Sequence, residues 1–233
     1  MNDSHGRKIE SMFDRISPRY DFLNRLLSGF NDMRWRKKAV AMIGDVSGKA
    51  VLDLCCGSGD FMLIFDKKYG DTISIHGADF AAKMLVIAGQ RLQNKTKSHI
   101  LLTRADAQEL PFADASIEAV TIGFGIRNVT DKPKALRDIH RILSPGGRLA
   151  IIEPAIPKNP IVRFLFSLYF GKIMPLIGGL ISGNYQAYKY LNDSVEAFPS
   201  PDKFCKMIRD AGFAQAKGHP QFLETATIFL ATK

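Results

Sequence analysis

Apolar residues recur along the chain in two rhythms. Ile9, Met12, Phe13 and Ile16 fall at the i, i+3, i+4, i+7 spacing of an amphipathic helix, which Pro18 closes. A second helical pattern runs from about Asn31 to Ile43 and stops at Gly44. From Lys49 onward the rhythm becomes strand, turn, helix. Ala50-Val51-Leu52-Asp53-Leu54-Cys55 is a short and nearly continuous apolar run, as expected of a strand covered on both faces. Gly57-Ser58-Gly59 follows, then the helical pattern of Phe61, Ile64 and Phe65. Ile73 to Ala78 reads as a second strand with Met84 to Leu92 as its helix, Ile100 to Leu102 as a third strand, and Ala119 to Ile122 as a fourth. Asp131 can cap the next helix, with Pro133 in its first turn, where a missing N–H costs nothing. Leu136, Ile139 and Leu143 form its apolar stripe, Ser144-Pro145-Gly146-Gly147 ends it, and Arg148 to Ile152 is a fifth strand. Gln221 to Leu223 and Thr225 to Ala231 predict a terminal hairpin. Strands alternating with helices mean a parallel sheet with helices on both sides.

Composition adds bounds. The 233 residues are 46% hydrophobic and 24% charged, an ordinary globular mixture, which excludes fibrous and largely disordered classes. No repeat or flexible linker breaks the chain, so one domain is expected. Lys and Arg (32) outnumber Asp and Glu (23), for a formal charge of +9, which bears on partners and not on fold. Cys55 and Cys56 are adjacent and Cys205 stands alone, so neither a disulfide framework nor a zinc spacing is present. No metal is expected. The first residues, Met1 to Lys8, carry no apolar stretch fit for a signal peptide, and a reducing cytoplasm is the expected compartment.

In an open parallel sheet, ligands bind outside the carboxyl ends of the strands. The loop Cys55 to Asp60 occupies that place after the first strand. Its glycines let a ligand approach the backbone, and the helix start that follows favours negative charge. Asp79, at the end of the second strand, can accept both hydroxyls of a ribose, and Asp106-Ala107 adds a polar element after the third. The plain alternative is a tight turn at Gly57 and Gly59 with Asp79 capping a helix. A dinucleotide fingerprint wants a third glycine at position 62, where Met62 stands, and this counts against NAD or FAD.

Val51-Leu52-Asp53-Leu54-Cys55-Cys56-Gly57-Ser58-Gly59-Asp60, then Asp79, then Asp106-Ala107 resemble the cofactor loops of class I S-adenosylmethionine-dependent methyltransferases. Met12-Phe13-Asp14, Tyr20-Asp21-Phe22-Leu23-Asn24, Ser28-Gly29 and Trp35-Arg36-Lys37 resemble the N-terminal signature of one family, the quinone-biosynthesis C-methyltransferases of the demethylmenaquinone and ubiquinone-precursor types. Phe124 to Val129 and Tyr188 to Ser194 are similar to its other signatures, so the resemblance spans nearly the whole chain. It implies a Rossmann-like, seven-stranded, mostly parallel sheet with an antiparallel C-terminal strand. It also implies a helical flap over residues 1–47, a cofactor core over 48–153, an apolar substrate lid over 154–200, and a closing helix and strands over 201–233. Asp53, Gly57, Ser58, Gly59, Asp79, Asp106 and Ala107 are the implied contacts for S-adenosyl-L-methionine. Ser58 stands where the family has Thr, Gly123 where relatives carry a cofactor-contacting Ser, and Thr225 to Lys233 lacks the usual ending.

The implied reaction is C-methylation of a prenylated demethylmenaquinol to menaquinol, with the benzoquinol precursor of ubiquinone as the alternative acceptor. The acceptor carbon is nucleophilic only when a neighbouring hydroxyl loses or shares its proton. Arg127 stays protonated and cannot take that proton, but it can hydrogen-bond a developing phenolate. Asn128 can position the ring oxygen or a relaying water, and Tyr20 on the flap can bond substrate across the closed site. The plainer readings pair Arg127 with Asp131 and make Tyr20 a buried anchor. Glu153 is a further candidate polar group, and His140 reads as a surface residue.

Between Glu153 and Asp193 the chain has no acidic residue, only Lys158, Arg163, Lys172 and Lys189 among Phe, Leu, Ile and Tyr. Ile161 to Ile181 is long enough to span a bilayer, but Arg163, Lys172, Pro175 and its glycines make a spanning helix a poor reading. A lid over the ring and a path for a prenyl tail is the better one. Arg34, Arg36, Lys37 and Lys38 around Trp35 could hold the protein to an anionic leaflet, or be a solvated helix face. The expected partners are thus a prenylated quinol and, peripherally, an anionic membrane at its inner face. A homodimer stays open, and nucleic acid is not expected. A nucleic-acid methyltransferase would carry an Asn/Asp-Pro-Pro-aromatic loop where Gly123 to Arg127 stands, and a non-catalytic cofactor-binding protein gives no reason for Arg127-Asn128.

Overall fold

The computed structural model of the chain describes residues 25, 28–93, 95–169, 171 and 185–233; the helix expected at Ile9 to Ile16 lies outside them. Helix α1 (Asp32–Ile43) leads into β1 (Ala50–Leu54), α2 (Asp60–Tyr69), β2 (Ser74–Asp79), α3 (Ala82–Leu92) and β3 (His99–Arg104). Then follow β4 (Ile117–Gly123), α4 (Lys132–Ile142), β5 (Leu143–Pro154), α5 (Pro160–Leu168), α6 (Tyr185–Glu196), α7 (Pro201–Asp210), β6 (Gln215–Gln221) and β7 (Ala226–Thr232). The strands form one sheet of seven in the order β3-β2-β1-β4-β5-β7-β6. Strands β1 to β5 pair in parallel, and β7 runs antiparallel to both β5 and β6.

The continuous apolar run of β1 has the cause expected of it. Val51 belongs to a core shared with α1, α2 and α3, whereas Leu52 and Leu54 belong to the opposite core, built with α4 and α7. Strand β5 divides in the same way, with Ala150 and Ile152 on one side and Leu149 and Ile151 on the other. Asp131 caps α4 by accepting from the Lys134 amide at 2.8 Å, with Pro133 in the first turn as the sequence predicts. Gly44 ends α1 at φ 89°, a conformation costly for any residue with a Cβ.

Three expectations are corrected. Ser144 to Gly147 does not separate helix from strand: β5 already begins at Leu143, which pairs with Ile117, and the register shifts before Arg148 pairs with Ala119. The segment is a bulge within the strand. The first arm of the hairpin is Gln215–Gln221, not Gln221 to Leu223; as an edge strand it needs no apolar alternation, and Phe222 and Leu223 form the turn instead. His140 is half-buried rather than a surface residue, its ring edge-on to Phe213 at 5.2 Å.

Met62, the residue that breaks the dinucleotide fingerprint, is fully buried between helix and sheet. The space it needs comes from Gly77 on β2, where a Cβ would lie 2.6 Å from the Met62 sulfur. Gly77→Ala is therefore expected to destabilise the protein by about 1–3 kcal/mol through overpacking, read as a lower urea midpoint. A Cβ at Gly77 also meets Leu102 Cδ2 at 2.8 Å, so Met62→Ala should relieve part of the collision: the double variant is expected to lose less than the sum of the single losses, and additive losses would argue against the contact.

Candidate active site

The strand order reverses between β1 and β4, and the loops that leave those two parallel strands meet there. At the end of β1, Cys55 has φ 55°, and at the end of β4, Phe124 has φ 61°, both in the left-handed region that side chains avoid. Gly125 explains how the loops come so close: a Cβ there would sit 2.4 Å from the Cys55 Cβ. Strained residues at neighbouring strand ends, held by the surrounding packing, are the usual sign of a functional site.

The glycine loop turns through Gly57 (φ 55°) and Gly59 (φ 91°) into α2. The Gly57 amide donates to Asp79 Oδ2 at 2.9 Å, and the Ala81 amide donates to Asp79 Oδ1 at 2.9 Å. Asp79 thus ties the first loop to the second; the Phe80 amide bonds it as well, and part of its acceptor capacity remains for a ligand. Burial pushes its carboxyl above the ordinary value against these backbone donors. Asp53 is buried on β1 and accepts from Thr121 Oγ1 on β4 at 3.1 Å; burial raises its pKa to about 8. Ser58 is buried, with its hydroxyl 3.0 Å from Arg91 Nη1. Asp106 folds back on Gln108, accepting from its amide at 2.9 Å, and Ala107 is buried beside it.

Sequence reasoning missed the charges beneath this loop. Arg36 does not belong to an outward basic cluster: its side chain is buried and bonds Asp32 at 2.9 Å, and it lies 4.0 Å from Asp60. Trp35 is buried as well, which leaves Arg34, Lys37 and Lys38 as the exposed cations of α1. Asp60, at the start of α2, also meets Arg91 at 2.7 Å and Arg25 at 3.4 Å. Burial alone would raise the Asp60 carboxyl, but Arg36, Arg91 and Arg25 outweigh it and hold it below the ordinary range. Gly123 makes room for this arrangement, since a Cβ there would lie 3.1 Å from Phe61 and 3.3 Å from the Arg36 guanidinium.

Arg127 lies in the turn Ile126–Asn128, just beyond the close approach at Gly125. Its partner is Glu153, not Asp131. Arg127 donates from Nη1 to Glu153 Oε2 at 3.0 Å and from its backbone amide to Oε1 at 3.2 Å, and Nη1 also bonds the Phe124 carbonyl. Glu153 is fully buried; burial raises its carboxyl, opposed by Arg127 and Lys132. Among the described residues, Arg127 Nε is the buried side-chain nitrogen left without a partner. The neighbouring Asn128 accepts from Tyr190 Oη at 3.1 Å through Oδ1. The structure thus brings Arg127, Asn128 and Glu153 together and adds Tyr190. Tyr20 lies outside the described residues. Among those described, no group of three or more His, Cys, Asp and Glu side chains could hold a metal ion.

A sheet of this order with β7 antiparallel, carrying its polar loops at the parallel carboxyl ends, defines the class I S-adenosylmethionine-dependent methyltransferases. The chain shares this fold with a SAM-dependent methyltransferase from Thermotoga maritima (TM-score 0.65, 18% identity, 96% of this chain and 99% of that one). The model of the ubiE/COQ5 methyltransferase family matches residues 1–233. The chain is 40% identical over 229 residues to the ubiquinone/menaquinone biosynthesis C-methyltransferase UbiE of Geotalea daltonii, covering 98% of this chain and 97% of that one. It is 44% identical over 203 residues to the demethylmenaquinone methyltransferase of Thermus thermophilus, covering 87% and 91%. The chain belongs to the ubiE/COQ5 methyltransferase family and is an S-adenosylmethionine-dependent C-methyltransferase.

Asp53 gives a pH test of the site. Its carboxyl keeps a proton up to about pH 8 in the fold, whereas its ordinary value, which the unfolded chain restores, is 3.8. The stability that proton confers is therefore complete below that ordinary value and drains as pH rises towards the folded one. Asp53→Asn keeps the shape without the charge and is expected to flatten that part of the stability profile. Urea midpoints of both proteins across this range check it; parallel profiles would contradict the buried, protonated carboxyl.

Proposed function

We propose that this enzyme methylates a ring carbon of a prenylated demethylmenaquinol to give menaquinol. The names of its relatives support that acceptor, and some of them include the ubiquinone precursor as well. The site observation that supports the chemistry is the buried, unpartnered Nε of Arg127 beside a fixed Asn128.

Asp79, Gly57, Gly59, Asp53, Ser58, Asp106 and Ala107 are the residues we assign to the cofactor. The carboxylate of Asp79, already oriented by backbone amides, has acceptor capacity left for a ribose hydroxyl, which fits the group. S-adenosylmethionine, when bound, supplies an electrophilic sulfonium methyl. The protein's part is to aim the acceptor and keep water out; alignment of this kind supplies up to ~7–11 kcal/mol of a barrier.

Arg127 does not take the hydroxyl proton. Glu153 holds its Nη1, which leaves Nε to donate to the ring oxygen as negative charge grows there. A buried donor fixed by an ion pair needs no reorganisation during the reaction. Asn128, anchored by Tyr190, orients that oxygen or the water that carries its proton away. Residues 154–200, apolar and free of acid between Glu153 and Asp193, are assigned to the cover of the ring and tail, and residues 1–47 with Tyr20 to the flap opposite. An oxidised quinone, with no hydroxyl to ionise, is not a substrate.

The test is incubation with S-adenosylmethionine and chemically reduced demethylmenaquinone, or its benzoquinone counterpart, with product mass as the readout. Arg127→Lys, which keeps the charge but not the Nε donor, is expected to lower kcat by about 10²–10³ with S-adenosylhomocysteine affinity unchanged. Undiminished turnover would refute the role. Asp79→Ala is expected to weaken S-adenosylhomocysteine binding by about 1.5–3 kcal/mol, roughly ten- to hundredfold, measured by calorimetry.

A further inference from the structure

The turn between β6 and β7 presents two large apolar side chains to solvent. Phe222 is 61% and Leu223 60% exposed, although both lie beside a well-packed sheet. Leu223 and Glu224 hold φ values of 51° and 64°, so the turn is kept in a conformation that side chains disfavour while the apolar groups point out. The turn sits at the same end of the molecule as the site, because Ala226 pairs with Pro154 at the carboxyl end of β5.

A second apolar surface adjoins it. Helix α5 leaves that same end of β5 and exposes Ile161 (71%), Phe164 (68%) and Leu165 (58%) on one side. Glu224, the acidic residue of the turn, accepts from the Lys158 amide at 3.0 Å, which joins the turn to the start of α5. On the turn's other flank, Lys38 donates to Gln221 at 3.1 Å, and exposed Arg34 and Lys37 share that face of α1. Arg163 is exposed on α5 itself.

We infer that Phe222 and Leu223, with the exposed face of α5 and the cations Arg34, Lys37, Lys38 and Arg163, dock the enzyme on an anionic bilayer with its site facing the lipid. The charges choose the occupant. A second copy of a chain carrying +9 would set these cations against like charge, whereas anionic headgroups complement them and the apolar tip can enter the interface. No helix among the described residues is long and apolar enough to cross a membrane, so the contact is a peripheral one. The purpose of this surface rests on the reading of the acceptor as a membrane-borne prenylated quinol, but its existence is measured without methyl transfer.

The test is co-sedimentation with vesicles of phosphatidylglycerol and phosphatidylethanolamine, against vesicles of phosphatidylcholine alone. The wild type is expected to prefer the anionic vesicles and to be released by salt. Phe222→Ser with Leu223→Asn, at exposed positions, is expected to lower partitioning about ten- to hundredfold, and Arg34→Glu with Lys37→Glu by a similar factor. With a tail-free naphthohydroquinol in solution, the Phe222→Ser/Leu223→Asn variant should keep wild-type kcat and KM. With demethylmenaquinol in vesicles, KM should rise in step with lost binding. Absence of wild-type binding to anionic vesicles, or unchanged partitioning of the variants, overturns the inference. Variants that alter self-association and not lipid binding would also overturn it and assign the surface to a second copy. Vesicle binding that persists in an enzyme unable to methylate either quinol would refute the substrate reading and leave the docking surface standing.

Discussion

The contact on which this molecule depends is the approach of two loops where the strand order reverses. Gly125 lies so near Cys55 that no side chain fits between them, and both Cys55 and Phe124 hold conformations that the rest of the fold must enforce. Strand β1 supplies the glycine loop on one side of that junction, and β4 supplies the Arg127-Asn128 turn on the other. Packing of this kind is discrete: the strand ends either meet at this distance or the two halves of the site part. The groups proposed for catalysis and for the cofactor are thereby set by backbone on rigid strands rather than by flexible side chains.

Charge is then distributed over two buried arrangements. Beneath the glycine loop, Asp32 and Asp60 are matched by Arg25, Arg36 and Arg91, and this ties the start of α1 to α2 and α3. Under the β4 turn, Glu153 and Arg127 neutralise one another in a fully buried place. Such pairs are costly to desolvate and contribute less to stability than to geometry. Here they fix guanidinium groups at positions that solvated arginines would not keep. Asp53 follows the opposite course; without a cation in contact, it stays protonated near neutral pH.

Much of this architecture is legible in the residues alone, for a physical reason. Strands buried on both faces, such as β1, need uninterrupted apolar residues, and capped helices such as α4 declare themselves through Asp131 and Pro133. Arg127 and Asn128 stand out as a pair in the sequence, and the structure places them together. The destinations of charges are not legible. Arg36 lies on the stripe of Trp35, Ala39, Val40 and Ile43 that α1 buries, but nothing local aims it at Asp60, nor tells Arg127 to choose Glu153 over the nearer Asp131. Those choices are made by tertiary distance. Hydropathy places the hairpin too late because β6 is an edge strand of polar residues, while the apolar pair that draws attention forms its turn.

Met62 and Gly77 show how a familiar fingerprint can be rewritten without loss of the fold. The bare position that other nucleotide-binding helices keep for themselves has moved across to the neighbouring strand, and a thioether fills the gap. The heritable unit is therefore a couple rather than a string of letters. Anyone transplanting this loop and its helix into a foreign scaffold must carry the partner from β2 along, and two genes recombined between those positions would inherit either a collision or a hole.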